Sequence, residues 1–466
     1  MKRLQALVAL LLASTLAVAA QQSSAPELSS VEAAIRTEVE RQKVPGAAVA
    51  IVKDGKVLLA QGYGQANVEH QVPVTPDTIF QSGSVGKQFT AAAVMLMVEQ
   101  GKITLDDPLT KFFPDAPDHW GAIKVRHLLT HTSGIPDYTG GSIDYRKDHT
   151  EDDLVRMAHA LKPEFAPGSR WNYSNTAYVL LGVLVRKASG KFYGDVLREQ
   201  VFEPLGMRTA RVISEADIVA NRAAGYRLEG GELKNQQWVS PSMNTTADGS
   251  LYLSLRDLIA WDTGVRERKV LKPESWKMVL SPVALNSGKT YPYGFGWSVD
   301  TVNGHRVEAH GGSWQGFQTF IGRFPDDGLS VVVLTNLAQG DPVEIAEKIV
   351  GLFDPSLVPA PLKPIEDTDP AVQARVRQLL EAARAGKLTP EEFAYVRVGF
   401  FPNAAKRYVQ LLNDSGAVTS LMLLQARDLG DDRVYTYDVA LEKRTLRLTL
   451  AIAPDGKIAA LDLRPR

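Results

Sequence analysis

The chain has 466 residues, 44% of them hydrophobic, a formal net charge of -1 and no cysteine. That length can bury a full core and suggests two domains. Near-neutral charge argues against an electrostatic nucleic-acid binder, and the lack of thiols excludes disulfides and a lipid anchor on cysteine.

In chain order, Lys2 and Arg3, an apolar run from Leu4 to Val18 and the small residues Ala17, Ala19 and Ala20 have the three-part form of a signal peptide over residues 1–20. The run is too short and too rich in alanine for a stable membrane span, so a periplasmic or secreted mature chain is expected. Gln21 to Pro26 reads as a flexible stub. Residues 21–353 then form the first expected domain. A helix near Ser30 to Arg41 precedes strands Gly46 to Lys53 and Val57 to Gly64, joined at the hairpin signal Asp54-Gly55. Ala91, Ala92, Val94, Met95, Met97 and Val98 lie in an apolar run that fits a buried helix. The middle, from Gln88 to Val201, reads as mostly helical, including Thr176 to Ser189. Strands return at Gly294 to Val299, Arg306 to Ala309, Gly316 to Phe324 and Leu329 to Thr335, the last pair turning at Asp326-Asp327-Gly328. A helix near Pro342 to Phe353 closes the unit.

Four prolines between Asp354 and Pro364 predict an extended linker over residues 354–364. Beyond it, residues 365–466 read as a small α+β unit: helices near Pro370 to Ala385 and Asn403 to Asn413, then strands Val418 to Ala426, Arg433 to Ala440, Thr445 to Ile452 and Lys457 to Leu463. This unit loosely resembles cystatin-like or NTF2-like domains, with stability, docking or substrate gating as its open roles.

Chemistry concentrates in three stretches. Ser84-Val85-Gly86-Lys87 places a serine one helical turn ahead of a lysine, so both side chains share a face. A serine hydroxyl needs a neighbouring base before it can attack a carbonyl, and the lysine can serve only if neutral. A helix N-terminus favours an alkoxide and disfavours an ammonium; the bland alternative is Ser84 as a helix cap. Trp171-Asn172-Tyr173-Ser174-Asn175 follows the Pro167-Gly168 turn and stands at a loop-to-helix junction. His310-Gly311-Gly312-Ser313 falls between two predicted strands, where glycines would let a substrate lie against the backbone.

In order, spacing and type these stretches resemble the serine β-lactamase and penicillin-binding-protein family, with its S-x-x-K, S-D-N or Y-x-N, and K-T-G set. The likeness is to the branch with Y-x-N and H-x-G: class C-like β-lactamases, DD-carboxypeptidases, D-aminopeptidases and esterase relatives. Arg126 to Pro136, Tyr293-Gly294-Phe295-Gly296-Trp297 and Leu205-Gly206-Met207 support it, and it covers Ser30 to Phe353. The resemblance implies an α/β (α+β) fold: an antiparallel sheet flanked by helices, plus a helical subdomain, with the site between them.

It also implies roles. Ser84 would be acylated, while Lys87 and Tyr173 share the acid and base work, Tyr173 as a phenolate. Asn175 would bond the substrate amide or the Lys87 amine, and His310 would donate toward Tyr173 or the substrate. The N–H groups of Ser84 and Ser313 would form the oxyanion hole beside Gly312. No metal or cofactor is expected. Because His310-Gly311-Gly312 replaces K-T-G, the fixed positive charge and hydroxyl that hold a substrate carboxylate are missing. An exported hydrolase of an ester, amide or D-configured peptide is therefore favoured. A β-lactamase, or a non-catalytic protein of this fold that binds peptidoglycan fragments, is the alternative. A small-molecule or peptide partner is expected, with no nucleic acid, and oligomeric state is left open.

Other residues carry weaker signals. His127 and His131 stand four apart but lack the glutamate of H-E-x-x-H, so a structural segment near the cleft is preferred to a metal site. The absence of G-x-S-x-G removes the nucleophile elbow of α/β-hydrolases. Asp137 and Tyr138 could line a cleft or form a solvated loop. Trp314 and Phe317 could face substrate or pack on the sheet. The loops Pro136 to Arg146 and Asn221 to Asn244 are expected to decide the acyl group.

Overall fold

A computed structural model of the chain describes residues 26–466 except Ser142, so the predicted signal peptide lies outside the described residues. A seven-stranded antiparallel sheet runs in the order Ser298–Val302, His305–Trp314, Phe317–Phe324, Leu329–Thr335, Gly46–Lys53, Lys56–Asn67, Val72–Pro73. Strands from both ends of the first 353 residues therefore meet at its centre, where Gly46–Lys53 pairs with Leu329–Thr335. The predicted Asp54-Gly55 turn is present, with both residues at positive φ and Lys53 opposite Lys56.

Alternation along the central strands divides two cores. Ala47, Val49 and Ile51 pack with the helices Leu28–Arg41 and Pro342–Phe353, while Ala48 and Ala50 face the helix Lys87–Glu99 and the helical region. Lys87–Glu99 is buried on nearly every side, which is why its sequence shows an unbroken apolar run rather than a stripe. Phe89 anchors it against Trp261 and Phe202, with ring centroids 4.4 and 5.7 Å away; burying such a ring stabilises by about 2 kcal/mol. Arg323 fixes the sheet to the helix Leu255–Arg266 through Asp262, at 2.8 Å, and also binds Glu308 on the strand His305–Trp314.

Two predicted regions differ. The middle is less helical than the apolar content suggests. After Glu99 come short 3-10 turns and the brief helices Val125–Leu129 and Glu151–Ala160, before Asn175–Ser189; Pro108, Pro114, Pro117, Pro136, Pro163 and Pro167 interrupt it. The strand predicted from Gly294 begins only at Ser298, because Gly296 sits at φ 75° where a Cβ would stand 2.6 Å from the Lys87 carbonyl oxygen. The C-terminal residues form the helices Pro370–Arg384 and Lys406–Ser415 and a four-stranded antiparallel meander, Val418–Leu429, Asp432–Leu441, Thr445–Ile452 and Ile458–Pro465. They enclose a core of their own. No helix among the described residues is long and apolar enough to cross a membrane.

Candidate active site

Ser84 lies in the 3-10 turn Gly83–Gly86 that leads directly into the helix Lys87–Glu99. Close backbone packing builds this turn. Gly83 has φ 49°, and a Cβ there would stand 2.3 Å from the Ser313 nitrogen; one on Gly86 would stand 2.9 Å from the Gly249 Cα. Lys87 is fully buried beneath the serine. Its Nζ is 3.0 Å from Ser84 Oγ and 2.7 Å from Asn175 Oδ1, and it also contacts the Asp248 backbone carbonyl. Burial pulls the ammonium down to about 8, against the opposing fields of Asp248 and Asp137. A neutral amine has two N–H bonds and one lone pair. Two of its three neighbours, the Asn175 amide oxygen and the Asp248 carbonyl, can only accept. Both N–H groups therefore go to them, and the lone pair faces the Ser84 hydroxyl.

Asn175 is held so that this assignment is unambiguous. Its Nδ2 donates to Asp137, 3.1 Å to Oδ2, which leaves Oδ1 for Lys87. Asp137 accepts from the Thr139 N–H at 3.0 Å, and burial raises its carboxyl above the usual range. Asp137 is thus a strut behind the site rather than part of a solvated loop.

Tyr173 precedes Ser174, which caps the helix Asn175–Ser189 by accepting from Ala177 N. The phenol is turned toward Ser84 but has no partner of good hydrogen-bond geometry, and Lys87 Nζ lies 4.9 Å from the ring centroid. Burial pushes the phenol well above 10, only partly offset by Ser84. Burial therefore opposes the phenolate that the resemblance implies.

Behind Tyr173 the predicted His310 is joined to two residues to which the sequence reading gave no catalytic part, His131 and Tyr293. His131, fully buried and at φ 57°, lies under the Tyr173 ring with centroids 4.2 Å apart. Its Nδ1 accepts from Ser174 N at 3.1 Å, so Nε2 carries the hydrogen and donates to Tyr293 Oη at 3.2 Å. Tyr293 donates in turn to His310 Nε2 at 2.9 Å, and His310 Nδ1 donates to the Gly311 carbonyl at 2.6 Å. Every hydrogen in the chain is fixed by its backbone ends. Burial, aided by the Lys87 charge, lowers His131 far below its usual range and His310 to about 4, so both rings are neutral. His310 is accordingly fastened to Tyr293, and its Nε2 accepts that hydrogen rather than donating toward Tyr173. His127 accepts from Lys124 N at 3.1 Å and does not join His131 in a ligand pair.

The predicted strand Arg306 to Ala309 continues to Trp314, so the two glycines lie inside a strand and not beyond it. A two-residue turn at Gln315 and Gly316, both at positive φ, closes the pair Trp314–Phe317. By antiparallel alternation, the Ser313 N–H then faces away from the neighbouring strand, toward Gly83 and Ser84. Gly312 contributes differently from expectation: a Cβ there would come 2.1 Å from the Ser82 carbonyl and 2.9 Å from Ser84 N. Its space is filled by the serine turn, not by substrate. Around Gly311 there is room, with Thr319 O the nearest atom at 3.7 Å.

A cleft of about 230 Å³ opens over Ser84, lined also by Asn175, Ser313, Asp248, Tyr138, Tyr145 and Trp314. Trp314 faces it, donating from Nε1 to Asn244 Oδ1 at 2.7 Å, whereas Phe317 packs edge-on against Phe80. Of the two loops expected to shape the pocket, the first supplies Tyr138, Thr139 and Tyr145. The second contributes Asn244 behind Trp314, and the lining residues Thr246, Asp248, Gly249 and Ser250 follow just after it.

The Beta-lactamase family model matches residues 31–352. The chain belongs to the beta-lactamase family. It is 30% identical over 324 residues to penicillin-binding protein 4* of Bacillus subtilis (strain 168), covering 66% of this chain and 71% of that protein. It is also 30% identical to a D-aminopeptidase of Brucella anthropi over 70% of this chain, although the match spans only 62% of that enzyme. Among solved structures, the octameric penicillin-binding protein homologue from Pyrococcus abyssi aligns with 94% of this chain and 98% of its own, at TM-score 0.63 and 25% identity. The D-amino acid amidase of Ochrobactrum anthropi SV3, complexed with L-phenylalanine amide, aligns with 69% of this chain and 98% of its own, at TM-score 0.60 and 25% identity. Family membership and these relatives make the chain a serine hydrolase of the beta-lactamase-related, penicillin-binding-protein-like kind.

Proposed function

We propose that this protein is an exported hydrolase that cleaves an ester, amide or D-configured peptide through an acyl-enzyme on Ser84. One observation carries the reading: the buried Lys87 Nζ lies 3.0 Å from Ser84 Oγ and between two obligate acceptors, an arrangement in which the neutral amine turns its lone pair toward Ser84 Oγ. As Ser84 Oγ bonds to the acyl carbon, its proton passes to Lys87. The carbonyl electron pair becomes an oxyanion facing the N–H groups of Ser84 and Ser313, each donor contributing about 3 kcal/mol in acyl transfer. Collapse expels the leaving amine or alkoxide, which takes a proton from the Tyr173 phenol; Lys87 restores that proton. Water repeats the sequence and frees the acid. A neutral phenol suits the acid role better than the base role. The names of the D-aminopeptidase and D-amino acid amidase relatives support the D-configured substrate, and the signal-like residues 1–20 support export to the periplasm or medium.

A fluorescent fluorophosphonate tests the reading. It should label the wild type, fail on Ser84→Ala, and react at a rate that climbs through about pH 8 as Lys87 loses its proton. Protonation below that point switches the base off. No labelling from about pH 6 to about pH 10 would favour a binding protein without turnover.

A further inference from the structure

A second cavity, of about 620 Å³, lies between residues 105–132 and residues 277–295 and shares no lining residue with the cleft over Ser84. Its size suits a small organic ligand, and no step of the proposed hydrolysis uses it. Its floor is the reverse side of the His131–Tyr293 bond. Thr130 and Thr132, both buried, line the cavity and share a hydrogen bond at 2.9 Å, while His131 between them turns the other way, under the Tyr173 ring. In the facing segment Phe295 lines the cavity, and Tyr293, two residues earlier, bonds His131 and His310. Each segment thus has one side toward Tyr173 and the other toward the cavity.

The walls are predominantly cationic. Lys124 and Arg126 share the Asp106 carboxylate, at 3.0 and 2.6 Å, whereas Lys277 forms no ion pair among the described residues. His127 adds no charge: burial, aided by Lys124 and Arg126, lowers it to about 4, and its Nδ1 accepts from Lys124 N. Three cations against one carboxylate leave the lining positive. Beside Lys277 the wall turns apolar, with Met278, Pro282, Val283 and Ala284. A cation next to an apolar surface matches an anion carried on a hydrocarbon body.

We infer that this cavity is an effector site for a small organic anion, an aryl or alkyl carboxylate, sulfonate or phosphate. Its charged end meets Lys277 and its apolar body lies on Met278 and Phe295. An occupant that prefers one arrangement of the two segments shifts how His131 and Tyr293 hold the Tyr173 ring, so its binding is felt at Ser84.

The probe is 8-anilinonaphthalene-1-sulfonate, followed by its fluorescence, with N-phenyl-1-naphthylamine supplying the same rings without the charge. The sulfonate should bind at least about tenfold more tightly than the neutral compound, and should still bind after a fluorophosphonate has blocked Ser84. Lys277→Glu and Met278→Asp, both at exposed positions, should each weaken it by about tenfold with the melting temperature unchanged. With the site saturated, the rate of fluorophosphonate labelling at Ser84 should change by at least about threefold. Lys277→Glu should lose that change and keep the basal rate. Equal affinity for the two compounds, binding indifferent to both substitutions, or binding abolished by blocking Ser84 overturns the site. Saturation with an unchanged labelling rate overturns the effector role. Absence of labelling without the probe refutes the hydrolase instead, and the fluorescence titrations still decide the site.

Discussion

The Tyr173 hydroxyl is a buried polar group with no partner of good geometry, and such a group destabilises a fold, a cost retained where its chemistry requires it there. Tyr173→Phe should therefore separate activity from stability. Acylation should slow by about 100-fold, the usual scale of a positioned acid, while the melting temperature holds or rises. A loss of both would make the phenol a structural group. The rest of the site shows how far residue types alone can be read. Ser84, Lys87, Tyr173 and Asn175 are visible as motif positions because their chemistry is tied to short spacings. His131 and Tyr293 are not, although both fall in stretches the sequence marks. What joins them is a hydrogen-bond chain between segments 162 residues apart, and no local pattern encodes it. The four-residue spacing of His127 and His131 offers only a weak metal-pair pattern, and backbone N–H groups occupy both Nδ1 atoms.

At the scale of elements, the strand His305–Trp314 decides more than its composition suggests. Consecutive glycines read as a strand end, since glycine weakens a strand interior. Here the ladder with Phe317–Phe324 continues through both of them, and Gly312 is present because the Ser82–Ser84 turn occupies the space of its side chain. The two glycines should consequently respond in opposite ways. Gly312→Ala forces its Cβ into the Ser82 carbonyl and should cost about 2 kcal/mol or more, with loss of fluorophosphonate labelling. Gly311→Ala, in open space, should keep both its melting temperature and its labelling. Equal behaviour of the pair in thermal unfolding would refute the packing role. Helices were legible where apolar residues form a long run, as in Lys87–Glu99. They were over-read between Glu99 and Asn175, where prolines and buried 3-10 turns carry a similar apolar content without regular structure.

Across the whole molecule, the C-terminal residues reach back to the cleft region. Val398 N donates to Glu164 Oε1 at 3.1 Å, and Glu164 binds Asn172, next to Tyr173. Arg170 pairs with Asp432 at 2.7 Å, about four-fifths buried, and Tyr395 meets Phe165 edge-on. Gly140, which ends the turn carrying Tyr138, lies against Val398 and Gly399 so closely that a Cβ there would stand 2.4 Å from the Val398 carbonyl. These contacts brace the two segments that position Tyr138 and Tyr173. Removing one member of the ion pair leaves the other partly desolvated and alone, so Arg170→Ala should destabilise by about 2 kcal/mol and lower kcat several-fold. A kcat equal to wild type would confine the contact to stability. The amino-acid sequence by itself pointed to Ser84 and Lys87 as the candidate nucleophile and base, and to the mixed architecture and the central strands, because these depend on short spacings and alternation within single segments. The tertiary structure alone decided which way each proton points, what fills the space at Gly312, and which residues line the cavity behind His131. Those depend on contacts between segments far apart in the chain, and burial sets their energies.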